Sequence, residues 1–589
     1  MITETALTSF TIEGHENTPW ELHTRWKELE PGLGILEFSL TAPEDLTPPE
    51  LLFTWVLPLL DTVDCWTTDH CGGAKLPPDW ASPHRFTIAN DIPELVFHNR
   101  AGCTTAAAAF SDTLHSMEFG AGIHEPDCSL IFKLRLFRSE QTPRSQYSAA
   151  IRIDCRPRYF SDTVRDFTDW YNAFPEYRCT PVPEGAYEPL YSTWYSYHQD
   201  VHDHVILQEC REAVKYGMKT VIVDDGWAYD NPKDSYRASG DWTPSASRFP
   251  ELREHVRQIQ ALGMRYMLWF AVPFIGDKCR HYERLRPYFI CERMNAGILD
   301  PRFPVVRRFI VDCCRDLMVK YGLDGLKLDF IDSFTVDCED PALKEGMGQR
   351  DIRTVPAAVD VLMTEVSAAL REVRPDALIE FRQCYIGPAI RKYGNMFRAA
   401  DCPADHAGNR RRTINLRLTS GITAVHSDML EWRSDSPVEN AALQLLGVMF
   451  SVPQISVRLA ELPEAHRRML HFLLGFIVRH RKLLLQGRLH PCRPEHDYPL
   501  VYTSCGNERL AAVYAEGTAI DFAGQPEAEI TYVVNGTAQN EVILDLAAAP
   551  GTTALLRDCT GAKITCAVPH GGITRFAMPP GSILKLTAP

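Results

Sequence analysis

A lysine and an aspartate stand two residues apart inside an apolar run, Leu326-Lys327-Leu328-Asp329-Phe330. Gly322 and Gly325 punctuate the approach, so residues 321–334 read as a helix end, a turn and a short strand. In a strand, residues i and i+2 share a face, so Lys327 and Asp329 look the same way. On a dry face both charges cost several kcal/mol unless paired. At the carboxyl end of a barrel strand, the same pair sits where chemistry is usually placed. Spacing alone leaves two readings open: an ion pair that only fixes register, or the floor of a polar site.

Other polar residues fall at the ends of strand-like runs. Trp194 and Tyr195 follow one run; Asp224, Asp225 and Trp227 follow the next, with Trp242 in the loop beyond. Trp269 closes a third, and Arg382, Gln383 and Cys384 close another. Arg398 and Asp401, with Asp405 just beyond, and then His426 and Asp428 complete the set. Carboxylates and cations among flat apolar walls suit a sugar. Its hydroxyls bind Asp, Lys and Arg, and its C–H face packs on Trp. Two facing carboxylates also supply what glycoside hydrolysis needs, one as nucleophile and one as proton donor and then base. Lys327 would keep Asp329 ionised. The donor needs a raised pKa; Asp401 fits, although Arg398 pulls the other way while no sugar is bound.

The elements that would position these residues alternate. Strands are expected at 190–197, 220–223, 265–272, around Asp329, and at 377–384, 396–401, 422–428 and 449–455. Helices are expected at 202–216, with Asp200 as N-cap, and at 251–262, 304–320, 355–373, 388–393, 409–418, 438–448 and 464–484. Eight strand–helix units in about 300 residues are the arithmetic of a (β/α)8 TIM barrel. Before a Pro-rich joint near Pro181 and Pro183, short strand-like bursts without a long helical period predict an N-terminal antiparallel β-sandwich. After Leu489 short strands return, with Asn535-Gly536 as a hairpin signal, and predict a C-terminal β-sandwich. The expected domains are 1–183, 184–488 and 489–589.

Composition bounds the partners. At 589 residues, two to four domains are expected. A net charge of −15 argues against a nucleic-acid partner. The opening MITETALTSF lacks a basic and then apolar leader, and no run reaches membrane-spanning length. Eighteen scattered cysteines with no CxxC pair read as reduced, mostly buried thiols of a cytoplasmic protein. The cluster His198, Asp200, His202, Asp203 and His204 reads as a solvated helix start rather than a metal site, because His202 and His204 cannot share a helical face. No metal and no cofactor are expected.

VDDGW at 223–227, GDW at 240–242, KLD at 327–329 and RAAD at 398–401 resemble motifs of the retaining α-galactosidases of glycoside hydrolase families 36 and 27. Motif order and the flanking β-domains are most similar to family 36. The resemblance spans 190–435 in motif detail and the whole chain in layout. It implies that Asp329 is the nucleophile and Asp401 the acid/base. It implies that Asp224 and Asp225 hold the hydroxyls at C4 and C6, and that Lys327 and Arg398 bind hydroxyls and orient the carboxylates. The implied activity is exo-acting retaining hydrolysis of terminal α-galactose from a small oligosaccharide or glycoside. In place of the family's Gly-rich turn after strand 5 stands Glu380-Phe381-Arg382-Gln383-Cys384-Tyr385-Ile386-Gly387-Pro388, and in place of its SDxTD-like segment stands Ala400-Asp401-Cys402-Pro403-Ala404-Asp405. In these families the strand 5 loop contacts the C2 substituent. An α-N-acetylgalactosaminidase or α-galactosaminidase is therefore the alternative, and Asp405 is a reserve proton donor. A galactosyl-transferring transglycosylase and a non-catalytic sugar-binding protein are the further rivals. The resemblance also implies a homo-oligomer. The loop 65–73 around Trp66 reads first as an ordinary polar surface turn, and otherwise as a candidate contributor to a neighbour's site.

Overall fold

The structure is a computed structural model that describes residues 9–69, 76–138, 142–231, 233–335, 340–342, 346–382, 385–546, 548, 550–569 and 571–589. Eight parallel strands form its middle: Leu190–Ser192, Thr220–Val223, Arg265–Ala271, Gly325–Asp329, Leu378–Arg382, Met396–Arg398, Ala424–His426 and Gln454–Ile455. They are called barrel strands 1 to 8. Neighbours in sequence pair in register, Leu190 opposite Thr220, Met267 opposite Gly325, and Glu380 opposite Met396. Leu190 opposite Gln454 and a single bridge between His426 and Val452 bring the ring close to closure. Gly325 opens barrel strand 4 because a Cβ there would lie 2.0 Å from the Leu378 carbonyl oxygen. The helix before it, Pro304–Tyr321, starts on proline and stops at Gly322, whose φ of 69° is left-handed.

The flanking sheets follow the expected class. Residues before the barrel form a five-stranded and a six-stranded antiparallel sheet. Strand Ser129–Leu136 alternates half-buried and buried residues along its length. Its buried side meets the other sheet in one core, where Trp55 stacks on Phe132 at 5.1 Å and Phe38 lies 4.6 Å from Phe53. After the barrel come a seven-stranded and a three-stranded sheet. Two pairs there are parallel, Glu508–Val513 with Ile530–Asn535 and Ala519–Asp521 with Glu541–Asp545.

Several local expectations are corrected. A helix, Phe160–Asn172, stands in the stretch read as free of helical period. Phe160, Val164, Phe167 and Tyr171 recur on its buried face, the spacing of an amphipathic helix. Barrel strand 1 stops at Ser192, and Trp194–Tyr197 turns into a short helix. Barrel strand 8 is only Gln454–Ile455. An extra three-stranded sheet of Phe274–Gly276, Phe289–Arg293 and Ala296–Leu299 follows barrel strand 3. Helix Asp203–Ala213 has His202, not Asp200, at its N-cap. Asn535-Gly536 closes no hairpin. The Asn535 amide donates to the carbonyls of Gln539 and Met578, so the turn is tied across the chain while the next strand joins the other sheet.

Trp66 is fully buried within its own chain. Its indole N–H donates to the Tyr498 hydroxyl at 2.9 Å, which donates to Asn415 Oδ1 at 2.6 Å. This relay joins the N-terminal sheets, the C-terminal segment and a barrel helix. Trp66 is thus a joint of the fold and is not presented to a neighbour; His70 to Gly73 of that loop lie outside the described residues.

Candidate active site

Barrel strand 4 ends in Lys327 and Asp329, both buried, and the two do not pair with each other directly. Lys327 Nζ meets Asp224 Oδ2 at 2.5 Å. Asp224 follows barrel strand 2, and its backbone N–H donates to Thr193 Oγ1 at 3.0 Å. Asp225 beside it is also buried and accepts from Tyr229 at 2.8 Å, Ser235 at 3.0 Å and the Gln199 amide at 3.4 Å. Burial pushes its pKa up to about 6; its hydrogen-bond donors offset part of that, and the charge of Asp224 adds to it.

Asp329 has its counterion from barrel strand 5. Arg382 Nε lies 3.0 Å from Asp329 Oδ1, and the Phe330 N–H donates to the same oxygen at 2.8 Å. Trp269 on barrel strand 3 donates its indole N–H to Oδ2 at 3.0 Å. Burial works against the charge, but Arg382, then Lys327, the Trp269 N–H and Arg398 outweigh it and hold the carboxyl below its ordinary value. Lys327 therefore acts on Asp329 at second rank, behind Arg382. Phe330 pays for this geometry with a left-handed φ of 65° immediately after the acid.

Asp401 leaves barrel strand 6 by a short loop, and its side chain is 48% exposed. Arg398 Nη2 holds its Oδ1 at 2.9 Å and ion-pairs through Nη1 with the buried Asp428. Asp428 also accepts from Tyr195 at 2.8 Å and from the Cys402 N–H at 2.7 Å. Partial burial raises the Asp401 pKa, but Arg398, Lys327 and Arg382 bring it down to about 2. The raised value expected of a proton donor is thus absent from the sugar-free protein, because the guanidinium is in direct contact. The charges of Lys327, Arg382 and Arg398 act on both Asp329 and Asp401, so the two carboxylates share one cationic surround at the carboxyl ends of strands 4, 5 and 6.

Three of the tryptophans are more deeply placed than a sugar-lined wall requires. Trp227 is 0% exposed, with its indole N–H on the Trp269 carbonyl at 2.9 Å, so it supports the site from below instead of lining it. Trp242 stacks on Phe270 at 4.2 Å and is buried. Trp269 reaches the site through its N–H. Trp194 is half-buried, with His198 edge-on at 5.1 Å. Asp405 is a helix cap: its carboxylate accepts from the Gly408 N–H at 2.8 Å at the start of His406–Thr419. That bond occupies the reserve donor elsewhere. Arg410 reaches the Asp497 carbonyl at 3.0 Å. His426 and Asp428 do not bond each other; His426 Nε2 meets the Ala186 carbonyl at 2.7 Å. Gln383 and Cys384 lie outside the described residues.

Two contributors escaped the reading of the sequence. Glu380 shares barrel strand 5 with Arg382 and is wholly buried; burial lifts its pKa to about 7 against the pull of Lys327 and Arg398. Its oxygen accepts from the Gln454 amide at 2.6 Å. The i, i+2 rule that singled out Lys327 and Asp329 applies equally to Glu380 and Arg382. Tyr385 is the other, with its hydroxyl 3.1 Å from Asp329 Oδ1. Among the described residues, no three His, Cys, Asp or Glu side chains converge as metal ligands.

The Melibiase family model matches residues 184–375. α-Galactosidase C of Emericella nidulans is 27% identical over 159 residues, covering 24% of this chain and 21% of that protein. The matched stretch thus spans about a fifth of that curated relative. The crystal structure of the glycoside hydrolase family 36 α-galactosidase AgaA of Geobacillus stearothermophilus superposes with a TM-score of 0.64 at 13% identity, over 97% of this chain and 81% of that one. A variant of AgaA in complex with raffinose gives a TM-score of 0.63 at 13% identity, over the same 97% and 81%. At that identity the likeness is one of fold: an N-terminal β-domain, a barrel and C-terminal sheets in the same order. The family match, 184–375, takes in barrel strands 1 to 4, among them the VDDGW, GDW and KLD motifs.

Proposed function

We propose that this Melibiase-type barrel works as a retaining exo-α-galactosidase on a small oligosaccharide or glycoside, without a cofactor. The observation that carries the reading is the shared surround of Asp329, at the end of barrel strand 4, and Asp401, beyond barrel strand 6: both carboxylates feel the charges of Lys327, Arg382 and Arg398. Asp329 is the nucleophile: buried, ionised and held by fixed donors. Asp401 is the acid and then the base: it is the more exposed of the two and stands at the rim. A sugar hydroxyl seated on Arg398 would take over the guanidinium's N–H, and the ring would cover Asp401 from water. Both changes raise its pKa toward that of a working acid. Asp224, Asp225, Lys327 and Arg398 would bind hydroxyls, and Trp194 would flank the leaving group.

Variants of the Geobacillus stearothermophilus α-galactosidase AgaA have been solved in complex with raffinose and with stachyose, which supports an α-galactoside as substrate class here. Aryl α-galactoside, aryl α-N-acetylgalactosaminide and aryl α-galactosaminide compared as substrates test the choice at C2. The expected result is turnover of the galactoside alone; preference for either amino sugar replaces this reading. Product analysis with excess sugar acceptor separates hydrolysis from transfer. The decisive variants are Asp329→Ala, expected to bind galactose without turnover, and Asp401→Ala, expected to show a burst with an activated aryl galactoside. Normal turnover by either removes its assigned role.

A cytoplasmic location and a homo-oligomer belong to the same proposal. Every cysteine among the described residues is free, which fits a reducing compartment, and no described helix is long and apolar enough to cross a membrane. Sedimentation of the full chain tests the assembly.

A further inference from the structure

Tyr385 stands directly behind Asp329 with a fully buried side chain. Its hydroxyl oxygen is 2.7 Å from the Phe330 N–H nitrogen, 2.6 Å from Arg382 Nη2, 2.9 Å from Asp332 Oδ1 and 3.1 Å from Asp329 Oδ1. A phenol offers one proton and accepts through its oxygen lone pairs. The two nitrogens donate to those lone pairs. The single proton is contested by two carboxylates, those of Asp329 and Asp332. Arg382 also stands between the same two acids, 3.0 Å from Asp329 Oδ1 and 3.9 Å from Asp332 Oδ2.

The two oxygens of Asp329 are not equivalent. Oδ1 accepts from the Phe330 N–H and the phenol, with the Arg382 guanidinium as its charge partner. Oδ2 receives the Trp269 N–H. The less encumbered Oδ2 is the oxygen placed to attack, and Oδ1 remains as the carbonyl oxygen of the ester that results.

We infer that Tyr385 is a positioning residue whose hydroxyl proton turns between Asp329 and Asp332 as Asp329 loses and regains its charge. The inference rests on Asp329 being the nucleophile. In the first half-reaction Asp329 Oδ2 bonds to the anomeric carbon. The glycosidic C–O bond breaks, its electron pair goes to the aglycone oxygen, and that oxygen takes the proton of Asp401. Asp329 is then a neutral ester and a weaker acceptor, so the O–H turns to the Asp332 side chain, 2.9 Å away. In the second half-reaction Asp401 takes a proton from water, the water oxygen bonds to the anomeric carbon, and the C–Oδ2 bond breaks. The electron pair returns to Asp329, and the O–H turns back to stabilise the departing carboxylate. No proton leaves the phenol; only its direction changes.

The two partners should therefore act in opposite senses. Tyr385→Phe removes the donor that helps the carboxylate leave, and should slow the second half-reaction about tenfold while sparing the first. Asp332→Asn removes the competing charge, keeps the O–H on Asp329, and should speed the second half-reaction relative to the first. The full-length protein is mixed with an activated aryl α-galactoside, quenched in acid at steady state, and weighed intact. The covalently galactosylated fraction should rise in Tyr385→Phe and fall in Asp332→Asn relative to the unsubstituted protein. A purely structural role would move both the same way. Parallel shifts, or no shift beyond twofold in either variant, overturn the inference. An adduct absent from all three proteins overturns double displacement itself, and this inference with it.

Discussion

Lys327 pairs with Asp224, which follows barrel strand 2, at 2.5 Å, and not with Asp329 two residues further along its own strand. The ammonium therefore ties strand 4 to strand 2 and acts on Asp329 only through space, behind Arg382. Asp224→Ala would leave that ammonium buried without its carboxylate, at a cost of about 3–5 kcal/mol. Lys327→Met would strand Asp224 in the same way. The double variant should lose less stability than the two singles added together, as urea midpoints with unchanged slopes would show.

Direct contact with Arg398 holds Asp401 ionised in the free protein, with a pKa of about 2. Acid catalysis needs the proton back, and the bound sugar is expected to return it by covering the carboxyl and engaging Arg398. The direction follows from the cause: the pKa is low when free and higher in the complex. The alkaline fall of kcat/KM, which follows free protein, should therefore lie at lower pH than that of kcat, which follows the complex. Superimposable pH profiles would remove the proposed effect of sugar on Asp401.

Asp401 and Asp405 are told apart by their second partners. Asp405→Ala should cost about 1 kcal/mol, the worth of a helix N-cap, and leave kcat within about twofold. Asp401→Ala should lower kcat on an unactivated galactoside by about 10²–10⁴-fold with little change in stability. A reversed pattern in steady-state rates and melting curves would move the acid role to Asp405.

Trp66 holds three parts of the chain together through Tyr498 and Asn415. Trp66→Ala should cost about 3–5 kcal/mol as a buried aromatic is deleted. Trp66→Phe should keep most of that packing and leave KM unchanged. A raised KM in Trp66→Phe, with stability intact, would place this residue in a sugar site after all.

Chain-local physics made much of this legible. Glycine and proline punctuation, β-branched runs and helical spacing located the barrel units, because turns and strands are set by neighbours in sequence. The alternation rule put Lys327 and Asp329 on one face, and motif order suggested the chemistry. Helix Phe160–Asn172 was equally legible in the spacing of Phe160, Val164, Phe167 and Tyr171, but the β-rich surroundings hid it. Partner choice was of another kind. Asp224 lies 103 residues before Lys327, and barrel register alone brings them together. Trp194, Trp227, Trp242 and Trp269 are one residue type in similar local settings, yet burial makes Trp227 a support and leaves Trp194 half open. The protonation of Asp401 turned on a guanidinium three residues earlier whose reach depends on how strand 6 ends. Coulomb interaction and desolvation depend on distances through space, and those exist only once the barrel has folded.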